Sequence, residues 1–168
     1  TPEVKDRILR SRVVGTHLLA ERLAALARRP EVLVCASAIG FYGECGREII
    51  DETHGPEGGF LSSVVQAWEE AADPARAAGI RVVHLRIGVV LTPSGGALER
   101  MLPMFRLGLG ARLGSGRQYF SWIAVDDLLR VFAWVLAERP IFGPVNATAP
   151  EPVSNAEFTR TLARVLGR

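Results

Sequence analysis

Two short, largely apolar runs constrain the fold of this chain more than any other feature. The first is VLVCASA, residues 32–38, and the second is IRVVHLRIGVVL, residues 80–91. Both are rich in β-branched residues, and the first is continuously apolar, which suits strands covered on both faces, as in a parallel sheet. Between them lies FLSSVVQAWEEAADPARAAG, which reads as a helix stopping at Gly79 and kinked or restarted at Pro74. Strand, helix and strand in this order imply a right-handed crossover and a parallel pair.

The flanking segments extend the alternation. Val4, Ile8, Val14, Leu18 and Leu23 recur at near-helical spacing, and Pro30 closes that first helix. ALERMLPMFRLGL reads as a further helix and GARLGSGRQ as a glycine-rich loop. From Asp126 an amphipathic helix carries Leu128, Val131, Phe132, Val135 and Leu136 on one face. GPVNAT suits one more short strand. The last helix opens on the capping box Ser154 and Glu157, with Phe158, Leu162, Val165 and Leu166 as its apolar face. Helices alternating with buried strands define an α/β layered fold.

Bulk properties exclude several function classes. With 48% hydrophobic and 23% charged residues the chain has the composition of a globular domain. No apolar run approaches the roughly 20 residues of a membrane-spanning helix, and the opening TPEVKDRILRSR has no signal-peptide core, so a cytoplasmic protein without membrane partners is expected. Cys35 and Cys45 form no metal-type cluster, and His17, His54 and His84 are scattered, so no metal site is expected. A net charge of +2 gives no footprint for nucleic acid. One local imbalance stands out: from Arg100 to Val125 the chain carries Arg100, Arg106, Arg112 and Arg117 and no acidic residue. This is either a solvated basic face or an approach for a phosphate-bearing ligand, since guanidinium groups grip phosphate oxygens in forked pairs.

In open α/β sheets, ligands sit at the carboxyl ends of the strands. Ser37, Ala38, Ile39 and Gly40 follow directly on a buried strand and fall at such an end. Small residues there let a flat ring approach the backbone, and a serine hydroxyl can hydrogen-bond a reacting oxygen; a tight turn needing glycine for conformation alone is the competing reading. GLGARLG, residues 108–114, imitates a dinucleotide fingerprint, but a helix precedes it and none follows directly, so it cannot seat a pyrophosphate on a helix N-terminus. No G-x-S-x-G elbow is present, and helix capping accounts for Asp126 and Asp127.

SRVVGTHLLAERL, VLVCASAIGFYG, HLRIGVVL, LGSGRQYFSWIAVDDLLRVFAWVL and GPVNATAP together resemble, in that order, the extended short-chain dehydrogenase/reductases, the NAD-dependent epimerase/dehydratase group. The resemblance is greatest to the atypical branch labelled epimerase family protein or nucleoside-diphosphate-sugar epimerase. It implies a Rossmann-type parallel sheet with helices on both faces, NADP or NAD as cofactor, and an anionic small-molecule substrate, with a homodimer as a further option. It also implies that the family's first strands and glycine fingerprint lie outside this chain and that the C-terminal substrate region is incomplete. On that pattern residues 1–91 are the second part of the Rossmann domain, 92–124 a substrate-side insertion, 125–147 a return to the Rossmann domain, and 148–168 the start of the C-terminal region.

Carried over by position, Ser37 matches the hydroxyl residue of the strand end, with Ala38 taking that place after a shift of one, and Tyr42 matches the tyrosine of the family's Y-G. The resemblance makes Ser37 and Tyr42 the catalytic candidates and Ala36, Ser37, Ala38, Gly88, Val89 and Val90 the cofactor surface. Arg86, Arg106, Arg117, Gln118 and Trp122 fall on the substrate side. The departure is equally specific. Family enzymes that oxidise a sugar hydroxyl use a Y-x-x-x-K pair, whose lysine lowers the tyrosine pKa. Here Lys5 is the only lysine, the tyrosines are Tyr42 and Tyr119, and the expected positions fall near Leu61 and Val65. Two functions follow as expectations: an NAD(P)-dependent epimerase or oxidoreductase on a nucleotide-sugar-like substrate, or a dinucleotide-binding sensor or scaffold without turnover.

Overall fold

The computed structural model describes residues 1–168. In chain order the elements are α1 (Pro2–Ala24), β1 (Val32–Ala38), a 3-10 turn (Ile39–Phe41), α2 (Phe60–Glu70), α3 (Asp73–Ala77), β2 (Arg81–Ile87), β3 (Val89–Leu91), α4 (Gly96–Arg106), β4 (Tyr119–Phe120), β5 (Trp122–Ala124), α5 (Val125–Ala137), β6 (Gly143–Ala147), β7 (Val153–Ser154) and α6 (Asn155–Val165). They form two compact units. No helix is long and apolar enough to cross a membrane.

The first unit comprises Thr1–Cys45, Ile49–Ile87 and Phe132–Asn146. Its sheet has the order β1-β2-β6, and β1 and β2 are parallel in the register Val32↔Arg81 to Ala38↔Ile87. The expected parallel pair is therefore present. Because side chains alternate along a strand, Leu33, Cys35 and Ser37 share a face with Val82, His84 and Arg86. The amino-terminal part of that face is apolar: Ala20, Ala72, Ala75, Ile80 and Val82 form a buried cluster joined by Leu23, Leu33 and Cys35. Alanines at the helix positions let α1 and α3 approach closely. Pro74 starts α3 as a new helix after Ala71 and Ala72, so the expected kink is a restart. Gly79, at φ +83°, ends α3 in a conformation that favours glycine.

The second unit comprises Gly46–Glu48, Gly88–Val131 and Ala147–Arg168. The run 80–91 breaks into two strands at Gly88, and β3 then pairs with β5 in parallel, Val89 opposite Trp122. A Cβ at Gly88 would lie 2.8 Å from the Ser121 carbonyl oxygen and 3.1 Å from Thr148 Cγ2, so the crossing needs a residue without one. β4 and β7 form a short antiparallel ladder, and Phe120 packs on Phe158 of α6 with ring centroids 4.6 Å apart. The Ser154 hydroxyl accepts the Glu157 backbone N–H at 3.2 Å, as the capping box predicts.

Periodicity overstates the buried faces. Val4, Val14 and Leu18 of α1, Leu136 of α5 and Val165 of α6 are all exposed. In α1 the inward position is Ala20, which is fully buried, whereas the larger apolar side chains beside it face outward. A hydrophobic period records spacing, not which side of a broad apolar stripe meets the sheet.

Candidate functional site: a directed hydrogen-bond chain at a strand end

The carboxyl end of the β1–β2 pair carries a line of polar side chains on the face that is apolar further back. Ser37 ends β1 and Arg86 lies opposite it in register. Glu69 reaches both from the last turn of α2. Its Oε1 accepts from the Ser37 hydroxyl at 2.6 Å and from Arg86 Nε at 2.9 Å, while Oε2 accepts from Arg86 NH2 at 2.9 Å. This forked geometry is the strongest that a guanidinium and a carboxylate can make. Arg86 NH1 donates to the Tyr42 hydroxyl at 3.0 Å, and that hydroxyl donates to Asn146 Oδ1 on β6 at 2.7 Å. The guanidinium also lies 3.4 Å from the centroid of the Phe41 ring.

Ser37, Tyr42 and Arg86 are all buried, at 4%, 2% and 4% exposure. The structure brings these three expected site residues together, but with their polar atoms turned on one another. Arg86 is the clearest departure from expectation: its guanidinium is committed to Glu69 and Tyr42 and does not face outward. A buried arginine without a carboxylate would carry an uncompensated charge, and Glu69 is the nearby anion that cancels it. Ala36 is exposed and Ala38 half-buried, so the end of β1 offers open backbone flanked by methyl groups.

Electrostatics follow from this packing. Burial alone would raise the Glu69 pKa, but the hydrogen bonds from Arg86 and Ser37 outweigh it and hold the carboxyl below its ordinary value. His84, two residues before Arg86 on β2, is 2% exposed; burial pushes its pKa down, against the attraction of Glu69 and with the repulsion of Arg76. Its Nε2 lies 3.1 Å from Arg76 NH2, which makes it the acceptor, and its Nδ1 has no hydrogen-bond partner. The imidazole is therefore held neutral.

Both shifts act in one direction. A group whose folded pKa lies below its unfolded value leaves the unfolded chain binding more protons as pH falls. Stability should thus be complete above roughly pH 6.5 and decline below it, first through the imidazole range and then near pH 4 through the carboxylate range. Urea midpoints measured from pH 7.5 to 4 should fall in that order, and His84→Asn should remove the upper part of the decline; a flat profile would contradict the assignment.

The other expected site residues lie in the second unit. Gly88 immediately precedes β3, which opens on Val89 and Val90, with Trp122 beside Val89 on β5. Arg106 ends α4 and is exposed, as is Arg117 in the glycine-rich loop. Gln118 Nε2 donates to the Leu113 carbonyl at 2.9 Å, so this side chain braces the loop. Asn155, at the start of α6, clamps the same loop by accepting the Leu113 N–H at 2.9 Å and donating its own N–H to the Gln118 carbonyl at 2.9 Å. Between α4, this loop and α6 lies a cavity of about 300 Å³ with Arg100 at its wall and Met104, Phe105 and Phe158 among its apolar lining.

A polar strand end on a parallel α/β sheet fits the comparisons with known proteins. The model of the NAD dependent epimerase/dehydratase family matches residues 3–147. The chain belongs to that family. An epimerase family protein of Mycobacterium bovis is 44% identical over 164 residues, covering 98% of this chain and 54% of the relative, and one of Mus musculus is 38% identical, covering 98% and 56%. The chain thus spans about half the length of the curated relatives it matches. Among solved structures, human epimerase family protein SDR39U1 with NADPH matches at TM-score 0.92 and 35% identity, covering 100% of this chain and 57% of that one. The nucleoside-diphosphate sugar epimerase from Corynebacterium glutamicum matches at TM-score 0.86 and 41% identity, covering 99% and 37%. The Rossmann-type architecture and the epimerase family branch expected from the sequence both stand.

Sequence reasoning missed Glu69, His84 and Asn146. Glu69 lay unmarked in the helical run FLSSVVQAWEE, and its hydrogen bond to Ser37 is a property of the packed fold. Asn146 lay inside GPVNAT, where a short strand hides the direction of each side chain.

Proposed function

We propose that this chain is part of an NAD(P)-binding epimerase-like oxidoreductase acting on an anionic, nucleotide-sugar-like substrate, without a Tyr-x-x-x-Lys pair. The observation that carries the reading is the directed chain Ser37–Glu69–Arg86–Tyr42–Asn146 at the carboxyl end of a parallel sheet, where ligands of such sheets bind. NADPH with human SDR39U1, at 35% identity, supports it. The residues fit a dinucleotide: the exposed Ala36 and half-buried Ala38 leave backbone that a flat ring can approach. Bound NAD(P) would supply hydride transfer.

The protein's own part is orientation. The Ser37 proton is engaged by the Glu69 carboxylate, so towards a ligand Ser37 offers lone pairs and can only accept, as from a ligand hydroxyl. Tyr42, fixed between Arg86 and Asn146, acts as a positioning residue. Glu69, held below its ordinary pKa, is a poor general base near neutral pH. Arg106, Arg117 and Trp122 stand as the substrate-side candidates, with Gln118 supporting their loop.

A sensor or scaffold without turnover is the second reading, favoured by the same burial. The protons of Ser37 and Tyr42 are both engaged inside the protein, and Leu61 and Val65 are apolar where a tyrosine and lysine would stand. NADPH at about a hundred times its dissociation constant should stabilise the full-length protein by about 2.7 kcal/mol, a melting shift of several degrees. Absence of any shift with NADPH or NADH would end both readings. NADPH consumption with an anionic carbonyl substrate, reduced by Ser37→Ala, would separate the enzyme from the sensor.

A further inference from the structure

The hydrogen bonds of the buried chain run in one direction, from Arg86 through Tyr42 to Asn146. Arg86 can only donate, so when its NH1 reaches the Tyr42 oxygen, the Tyr42 proton must go elsewhere. Tyr42 is 2% exposed and the Asn146 amide oxygen, 2.7 Å away, is the one acceptor that its proton meets, which sets the amide with Oδ1 towards Tyr42 and Nδ2 on the opposite side. No protein acceptor meets that Nδ2. The backbone of Asn146 is fixed as well, because its N–H donates to Glu52 Oε1 at 2.7 Å. Asn146 is half-buried near the carboxyl end of β6, the strand next to β2. A donor held at both its backbone and its side chain, at the ligand-bearing end of a sheet, is a preorganised recognition group.

We propose that Asn146 is a cofactor-binding residue whose Nδ2 donates to the carboxamide oxygen of the nicotinamide, with Tyr42 as the residue that orients it. The inference rests on the cofactor reading above. The neighbouring Glu52 carboxylate selects against a phosphate oxygen at this donor and leaves a neutral acceptor as the matching chemistry. The carboxamide oxygen is such an acceptor, carried by the flat ring for which the open backbone at Ala36 and Ala38 leaves room. Arg86 and Glu69 contribute indirectly: they fix the direction of every hydrogen bond from Ser37 to Asn146, and so the side on which the amide nitrogen emerges.

The test is a set of dissociation constants for the full-length protein with NADPH and with its thionicotinamide analogue, in which sulfur replaces the carboxamide oxygen. Asn146→Asp keeps an acceptor for Tyr42 and removes both N–H donors; it should weaken NADPH binding about tenfold, the scale of one lost hydrogen bond with added charge. Wild type should prefer NADPH over the analogue several-fold, and Asn146→Asp should abolish that preference. Tyr42→Phe, which frees the amide to rotate, should weaken NADPH binding about threefold and reduce the preference. The preference of the unmodified protein decides the matter even where a variant is poorly folded: equal affinity for the two cofactors overturns the proposal, as does Asn146→Asp with an unchanged affinity. Failure of wild type to bind NADPH at all is a different result and overturns the cofactor reading itself.

Discussion

Glu69→Ala is expected to destabilise the chain by about 3–5 kcal/mol, and Arg86→Ala by a similar amount, because each leaves the partner's charge buried and unpaired. The side chains of the pair are 5% and 13% exposed, so little water is available to compensate. The loss should not equal the net worth of the pair. The double variant Glu69→Leu with Arg86→Met replaces the charges by apolar volume and should recover most of the stability lost in either single variant. Chemical denaturation of the four proteins gives the cycle. Additive losses in the double variant would mean that the two groups do not act together, contrary to their bidentate contact. The double variant should also leave Tyr42 without its donor and so loosen Asn146, which separates stability from ligand recognition in one experiment.

Gly88→Ala is expected to destabilise by about 2 kcal/mol, within the range of overpacked sites. The added Cβ would meet the Ser121 carbonyl oxygen at 2.8 Å and Thr148 Cγ2 at 3.1 Å, and the closer of these is backbone, which cannot rotate aside. Gly15→Ala is the matched control. It lies within α1 with nothing inside 4 Å of a Cβ, so alanine there should be neutral or stabilising by up to about 1 kcal/mol. Thermal melts of the two variants should therefore move in opposite directions. Equal shifts would show that Gly88 is kept for a reason other than space.

The pattern of the site was partly legible from residue order. Small residues after an apolar run signalled a strand end, and a second apolar run beyond a helix signalled its parallel partner; both depend on local chemistry alone. The orientation of Arg86 was not legible. A basic residue near a strand end suits either a ligand or a buried carboxylate, and the deciding fact is that Glu69, 17 residues upstream, projects from α2 onto the same face. The break at Gly88 was hidden for a similar reason. The run IRVVHLRIGVVL carries no turn signal beyond a single glycine, and only the tertiary neighbours Ser121 and Thr148 reveal that its two halves pair with different strands. The apolar face of α1 was overstated because Ala20, not a large side chain, points inward.

The contact between Glu52 and β6 has a consequence beyond the orientation of Asn146. β6 ends the order of its sheet, and donors two residues apart on a strand point the same way. Asn146 gives its N–H to a loop carboxylate, and two residues earlier stands Pro144, which has no N–H at all. That border of the sheet thus offers an approaching β-strand no free donor at either position. Missing donors at both positions disfavour strand addition on that side, and with it the edge-to-edge aggregation that an open ladder invites.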